Sequence, residues 1–242
     1  MFHGFGQSHQ AFKILEDPLL EEFTIYSFDI FFHGKSLWNK GEEALEKPFW
    51  KALFCEFLVL HKIERFSLLG FSMGGKFALA SLEAFPEKIE HVFLLAPDGI
   101  RTNFWYSLAT YPTIFRSLFR SMINHPKRLK FVETVAVRIG LIDKGILRFV
   151  DLQMDTLEKR NRVYHAWVVF RHLKFDMKAI AKIINAHNIK LTLMVGKYDK
   201  IITAKNMDHL LKKLDYYTLE ILETGHNGVV QESAKVLRKF SF

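Results

Sequence analysis

The stretch of this chain best suited to chemistry is Gly70-Phe71-Ser72-Met73-Gly74, a serine set between two glycines. G-x-S-x-G is common as a string, and its context gives it meaning. An apolar run at Phe66–Leu69 reads as a strand before it, and Met73–Phe85 has a helical pattern after it, ending before Pro86. That strand–turn–helix setting is the structural test of the motif. It would hold the hydroxyl at a sharp tip above the carboxyl edge of a sheet, where ligands of α/β proteins bind. Gly70 and Gly74 lack a Cβ, so strand and helix can approach closely around the tip. The Met73 amide, at the helix N-terminus, would face a developing oxyanion. A serine hydroxyl is a poor nucleophile at neutral pH. It needs a base within hydrogen-bond reach, and the base needs an acid to hold its tautomer. The plainer alternative is a glycine-rich turn that only packs strand on helix.

The elements that must position such a serine recur along the chain. Phe23–Phe28, Phe66–Leu69, His91–Ala96, Lys190–Val195 and Tyr217–Leu222 read as strands. Ala44–His61, Met73–Phe85, Thr203–Leu214 and Glu232–Phe240 read as helices. Alternating strands and helices of this length predict an α/β protein with a mostly parallel sheet flanked by helices. Ile100–Ile189 carries no strand signal, and a structureless loop of that length is improbable in a domain. A helical insertion is expected there, with Lys144–Asn188 helical almost throughout. The predicted division is a core of residues 1–99 and 190–242 and an inserted helical lid of residues 100–189.

Composition narrows the classes. A chain of 242 residues can bury a large core without disulfides or metal. Its single cysteine, Cys55, excludes a disulfide framework within the chain and suits a reducing compartment, so a cytoplasmic location is expected. Cys55, between Phe54 and Phe57 on a helical pattern, reads as an inert core thiol. No apolar run reaches the ~18 residues of a membrane-spanning helix. The start, Met1-Phe2-His3-Gly4-Phe5-Gly6, lacks the pattern of a signal peptide. The net charge of +8 invites a nucleic-acid reading, but its location argues otherwise. Residues 101–174 hold 14 Lys+Arg against 5 Asp+Glu, and the rest of the chain holds 20 against 21. The whole excess lies in the central segment, scattered singly and without a recognition motif. Solvated helix faces explain it most simply; a basic lid over a pocket for an anionic ligand is the second reading. No metal-ligand spacing, phosphate-cradling loop or dinucleotide motif is present, so neither a metal nor another cofactor is expected.

Several motifs in order resemble the α/β-hydrolase superfamily, in particular its small lid-bearing esterase-like and MenH-like branch. His3-Gly4-Phe5-Gly6 is similar to the HGxG-type loop after that fold's third strand. Phe28-Asp29-Ile30-Phe31-Phe32-His33-Gly34-Lys35-Ser36 is similar to the turn after the next strand, with His33 where the first of paired glycines usually stands. Gly70–Gly75 is similar to the nucleophile turn, Gly196-Lys197-Tyr198-Asp199 to the G-x-x-D after the lid, and Gly225-His226 to the G-H of the last loop. The resemblance starts at His3, before which family members have further residues, so the expectation is either a reduced sheet without the first strands or a start placed inside a longer frame. A sheet edge exposed in that way would favour association with a second copy.

The resemblance implies a nucleophile–acid–base order that Ser72, Asp199 and His226 fit. Asp98, after the strand that follows the nucleophile helix, is the rival acid, and Glu223 a weaker one. With eleven histidines in the chain, His226 is preferred because Gly225 precedes it just beyond a strand. By resemblance Phe5 supplies the second oxyanion amide beside Met73, and His3 shapes that loop. Gly4, Trp105 and Trp167 are candidate substrate contacts; Arg101, His165 and Arg171 are lid residues that nothing in spacing singles out. Asp29 reads as a turn anchor and Lys76 as a helix-face cation. The activity implied is a serine hydrolase cleaving a small carboxylic ester or thioester through an acyl-enzyme, with a small-molecule substrate that the basic-lid reading would make anionic, and no nucleic acid. Two alternatives stand beside it: a MenH-like lyase or C–C bond hydrolase using the same three residues, and a non-catalytic binding module on the same fold.

Overall fold

The computed structural model describes residues 1–101, 104–138, 151 and 153–239. A 3-10 turn at His9–Leu15 runs into the short helix α1, Glu16–Leu19. Then follow α2 (Lys47–Leu60), β1 (Phe66–Phe71), α3 (Gly74–Ala84), β2 (Ile89–Leu95), α4 (Phe104–Thr110), α5 (Thr113–Asn124), α6 (Pro126–Arg138), α7 (Leu157–Val169) and α8 (Met177–Ala186). The chain closes with β3 (Lys190–Gly196), α9 (Ala204–Leu211), β4 (Thr218–Leu222) and α10 (Val229–Leu237).

The four strands form one parallel sheet in the order β1-β2-β3-β4. Leu69 pairs with Phe93, Phe93 with Thr192, and Leu193 with Leu219. The strands β1 to β3 are nearly continuous apolar runs because helices cover them. Helix α3 packs on β1 and β2 and is flanked by α2 and α8; α10 packs on β2, β3 and β4 and against the 3-10 turn. In α2, Trp50, Phe54 and Leu58 recur every four residues and form its buried stripe. The Trp50 ring lies 5.0 Å from Phe77 of α3, and its indole N–H donates to Ser81 Oγ at 3.0 Å.

Two expectations fail here. Phe23–Phe28 is not a strand: only Met1 and Phe2 run beside it, and the ladder is a single parallel bridge, Phe2 to Phe28. Phe2 also bridges to Gly70, so this one residue continues the sheet past β1. Cys55 is exposed. It follows Phe54 by one residue, and one helical step rotates it about 100° off the buried stripe. The remaining predicted strands and helices outside the central segment are present, their ends displaced by three residues or fewer.

Between β2 and β3 the described residues form five helices and no strand. Of Lys144–Asn188, residues 144–150 and 152 lie outside the described residues. Phe119, Ile123, Met154, Val163, Tyr164 and Val168 make a second apolar cluster there, apart from the sheet's core. The buried Arg160 pins it, donating to the Ile123 carbonyl at 2.9 Å and the Met154 carbonyl at 3.0 Å. The former lies at the C-terminal end of α5, where carbonyls lack helical partners and a cation is favoured. Among the described residues no helix is long and apolar enough to cross a membrane.

Candidate active site

Ser72 sits between the end of β1 and the start of α3 with φ of +49°, in the left-handed region that costs a non-glycine residue energy. The surroundings impose it. The Ser72 amide donates to the Leu95 carbonyl at 2.9 Å, and its own carbonyl accepts from Gly75 and Asp98 at 2.8 Å each. Gly74 is required by the close approach predicted for the turn: a Cβ there would lie 1.9 Å from the Phe2 carbonyl oxygen.

The structure brings three separated side chains to this tip. His226 Nε2 lies 2.9 Å from Ser72 Oγ, and His226 Nδ1 lies 2.6 Å from Asp199 Oδ2. A carboxylate only accepts, so Nδ1 carries the proton and Nε2 is left to accept from the serine hydroxyl. Asp199 Oδ1 accepts from the Ile201 and Ile202 amides at 2.8 and 2.9 Å. The Asp199 side chain is fully buried. The loops carrying Asp199 and His226 are joined by backbone bonds, Lys197 to the Leu222 carbonyl at 2.8 Å and Tyr198 to the Thr224 carbonyl at 3.0 Å. Neither rival acid reaches the imidazole. Asp98 pairs with Lys76 Nζ at 3.0 Å, and Glu223 accepts from Lys197 and Tyr198 at 2.6 and 2.7 Å.

Two histidines shape the loop that faces the serine. His3 donates from Nδ1 to the Gly4 carbonyl at 2.7 Å and accepts at Nε2 from the Ile30 amide at 3.0 Å. His33 donates from Nδ1 to the Phe31 carbonyl and accepts at Nε2 from the Gly6 amide, both at 3.0 Å. The side chain that replaces a usual glycine thus supplies an acceptor for the Phe5 loop. Among the described residues, neither the Phe5 nor the Met73 amide donates to another protein group. Asp29 anchors its turn by accepting from the His9 amide at 2.7 Å.

Burial lowers the pKa of His33 to about 4, and burial followed by Lys190 lowers that of His91 to about 4. Burial also lowers that of His3. Above pH 6.5 these rings are neutral whether the chain is folded or not. As the pH falls from 6.5 toward 4, the unfolded chain takes up protons that the folded rings refuse, so stability falls across that window. The loss is at most about 3 kcal/mol for each of His33 and His91. Denaturant melts at pH 7, 6, 5 and 4.5 should show a falling midpoint, flatter in His33→Asn, which cannot protonate. A midpoint unchanged between pH 7 and 4.5 would refute the effect.

A cavity of about 840 Å³ opens on Ser72 and His226. Phe5, Met73 and Trp167 line it, and so does Arg101, whose Nη1 donates to Asn206 Oδ1 at 3.1 Å. Gly4 does not line it; a Cβ there would meet the Phe71 ring at 2.8 Å. His165 and Arg171 are also outside the lining: His165 stacks on Phe32, and Arg171 donates to the Glu42 carbonyl at 3.2 Å. The side chain of Trp105 lies outside the described residues. Lys76, expected on a helix face, is instead buried in the cavity wall, with Nζ 4.2 Å from the Tyr106 ring centroid. Burial works to lower its pKa, but Asp98 and Tyr106 outweigh burial and raise it, so it is a cation. The reason is that α3 is buried on all sides and has no solvent face near its start. Among the described residues no group of three or more His, Cys, Asp or Glu side chains could hold a metal. A second cleft, of about 480 Å³ and lined by Phe23, Phe57 and Phe66, contains none of the site residues.

This serine turn, parallel sheet and cavity belong to a known class. The family described as alpha/beta hydrolase fold matches residues 1–135, more than half of the sequence. The chain belongs to that family and is an α/β hydrolase. Two relatives bear the name "Putative esterase/lipase 2": one from Mycoplasma pneumoniae, 28% identical, and one from Mycoplasma genitalium, 24% identical. Each alignment covers 93% of this chain and 80% of the relative. Among solved structures, a thermophilic esterase from Thermogutta terrifontis superposes with a TM-score of 0.66 at 15% identity, over 98% of this chain and 85% of that one. At that identity the likeness shows the fold alone.

Proposed function

We propose that this hydrolase cleaves a carboxylic ester or thioester through an acyl-enzyme on Ser72. The observation that carries the reading is the hydrogen-bonded chain Ser72–His226–Asp199 at the mouth of the 840 Å³ cavity. His226 Nε2 takes the hydroxyl proton as Ser72 Oγ bonds to the carbonyl carbon. Asp199 holds the imidazole in its Nδ1–H tautomer and stabilises the imidazolium. The unpartnered amides of Phe5 and Met73 receive the oxyanion; one such donor is worth roughly 3–4 kcal/mol in the transition state. The carbonyl–oxygen or carbonyl–sulfur bond then breaks, and His226 gives the proton to the departing alcohol or thiol. Water, deprotonated by the same imidazole, cleaves the acyl–serine bond and releases the acid. Residues 100–189 serve as the lid over this chemistry, on a core of residues 1–99 and 190–242.

A fluorophosphonate probe tests the reading. Intact-mass and peptide analysis should find one adduct, on Ser72, and a panel of chromogenic esters should be turned over. A chain that is folded, unlabelled and inactive on every ester would refute it.

A further inference from the structure

The cavity wall combines an apolar and a cationic lining. Phe119, Met122, Leu129, Met154 and Val163 line it, all belonging to the second apolar cluster or packed against it, together with Phe5. Lys76, Arg101 and Lys174 line it too, opposed among the described lining residues by one carboxylate, Asp98. The Trp167 ring lies 5.6 Å from Phe119 and 5.3 Å from Tyr106, over which Lys76 sits. Lys76 follows Ser72 by four residues and sits in the first turn of α3. Lys76 is buried and paired with Asp98 at 3.0 Å, so among the described lining residues the charge left without a carboxylate is that of Arg101 and Lys174. These two give the cavity a net positive charge that attracts an anion from solvent.

We infer that the substrate is an amphipathic ester, with an apolar chain on one side of the scissile carbonyl and an anionic group, phosphate or carboxylate, on the other. This rests on the serine-hydrolase reading above. The chain packs against apolar lining residues such as Phe119 and Val163, and the anion meets Arg101 and Lys174. Arg101 is exposed and Lys174 half-buried, so both can meet a polar headgroup entering from solvent. The cavity's volume holds a ligand of this size.

Two matched substrate pairs test the inference on the intact chain. The first is an acylglycerol 3-phosphate against the monoacylglycerol of the same chain, which puts the anion on the alcohol. The second is a monoalkyl succinate against the alkyl butyrate, which puts it on the acid. In at least one pair the anionic member should have the higher kcat/KM, by about tenfold or more, as one charge-assisted contact allows. Which pair responds identifies the side that carries the charge. The ratio should fall toward one in the double variant Arg101→Gln, Lys174→Gln, and should shrink with added salt. Neutral esters preferred in both pairs, or a ratio unmoved in the double variant, would overturn the inference and leave the serine chemistry standing. Failure of all four esters together with no fluorophosphonate adduct would overturn the chemistry and this inference with it.

Discussion

Ser72→Ala lowers kcat on any ester substrate by about 10⁴–10⁶-fold and abolishes fluorophosphonate labelling. The size follows from the arrangement. Among the described residues Ser72 Oγ is the nucleophile hydrogen-bonded to His226, so under the proposed mechanism its loss leaves direct attack by water, helped by the proposed oxyanion amides. Folding is expected to survive, because the bonds that clamp Ser72 are made by its amide and carbonyl rather than by its hydroxyl. Alanine also tolerates the +49° φ no worse than serine. The measurement is steady-state hydrolysis beside a thermal melt. A variant that melts like the parent and retains esterase activity would remove Ser72 from the mechanism.

Asp199→Asn is expected to lower kcat by about 10⁴-fold. Asp199 Oδ1 accepts from two amides, of Ile201 and Ile202, so in the variant this position must be occupied by the amide oxygen. The NH₂ group is then forced toward His226 Nδ1, 2.6 Å away in the parent. An NH₂ donates, so Nδ1 must accept, and the imidazole proton moves to Nε2. In that tautomer Nε2 no longer accepts from the Ser72 hydroxyl. The general base is lost while every residue stays in place. Nitrogen-15 spectra of the imidazole should report the Nε2–H tautomer in the variant and Nδ1–H in the parent. Parent-like kcat with an unchanged tautomer would sink the assignment of Asp199 as the acid.

Both substitutions rest on residues that the sequence already marks, although it marks them unequally. The serine turn is local: strand, tip and helix occupy Phe66–Ala84, and two glycines frame the tip. Asp199 and His226 follow strands that also read correctly, because covered parallel strands are apolar runs. Choosing Asp199 over Asp98 and Glu223 is another matter. All three are carboxylates just beyond strands. What separates them is their neighbours, Lys76 for Asp98 and Lys197 for Glu223, which no local pattern displays.

His33 and Lys76 make the same point from the other side. His33 is visible in the sequence as a departure from a familiar turn, but its use becomes clear only where its Nε2 meets the Gly6 amide, 27 residues away. Lys76 looks like a solvated cation because lysine near the start of a helix usually is one. Nothing in the chain's pattern announces that α3 is covered on every side. Phe23–Phe28 errs in the opposite direction: its composition suits a strand, yet a strand exists only where a partner runs beside it.

By itself the sequence determined the kind of the sheet strands and of the helices around them outside the central segment, though not of Phe23–Phe28, together with the parallel α/β class and the turn that lifts Ser72 above the sheet. These follow from periodicity and backbone sterics, which act over a few residues. Tertiary structure decided which carboxylate meets His226, that Lys76 is buried, that Cys55 is not, and which apolar and cationic residues line the cavity together. Those outcomes depend on contacts such as Ser72 with His226, 154 residues apart. Such contacts are set by how whole helices and strands pack, and short-range patterns carry no record of it.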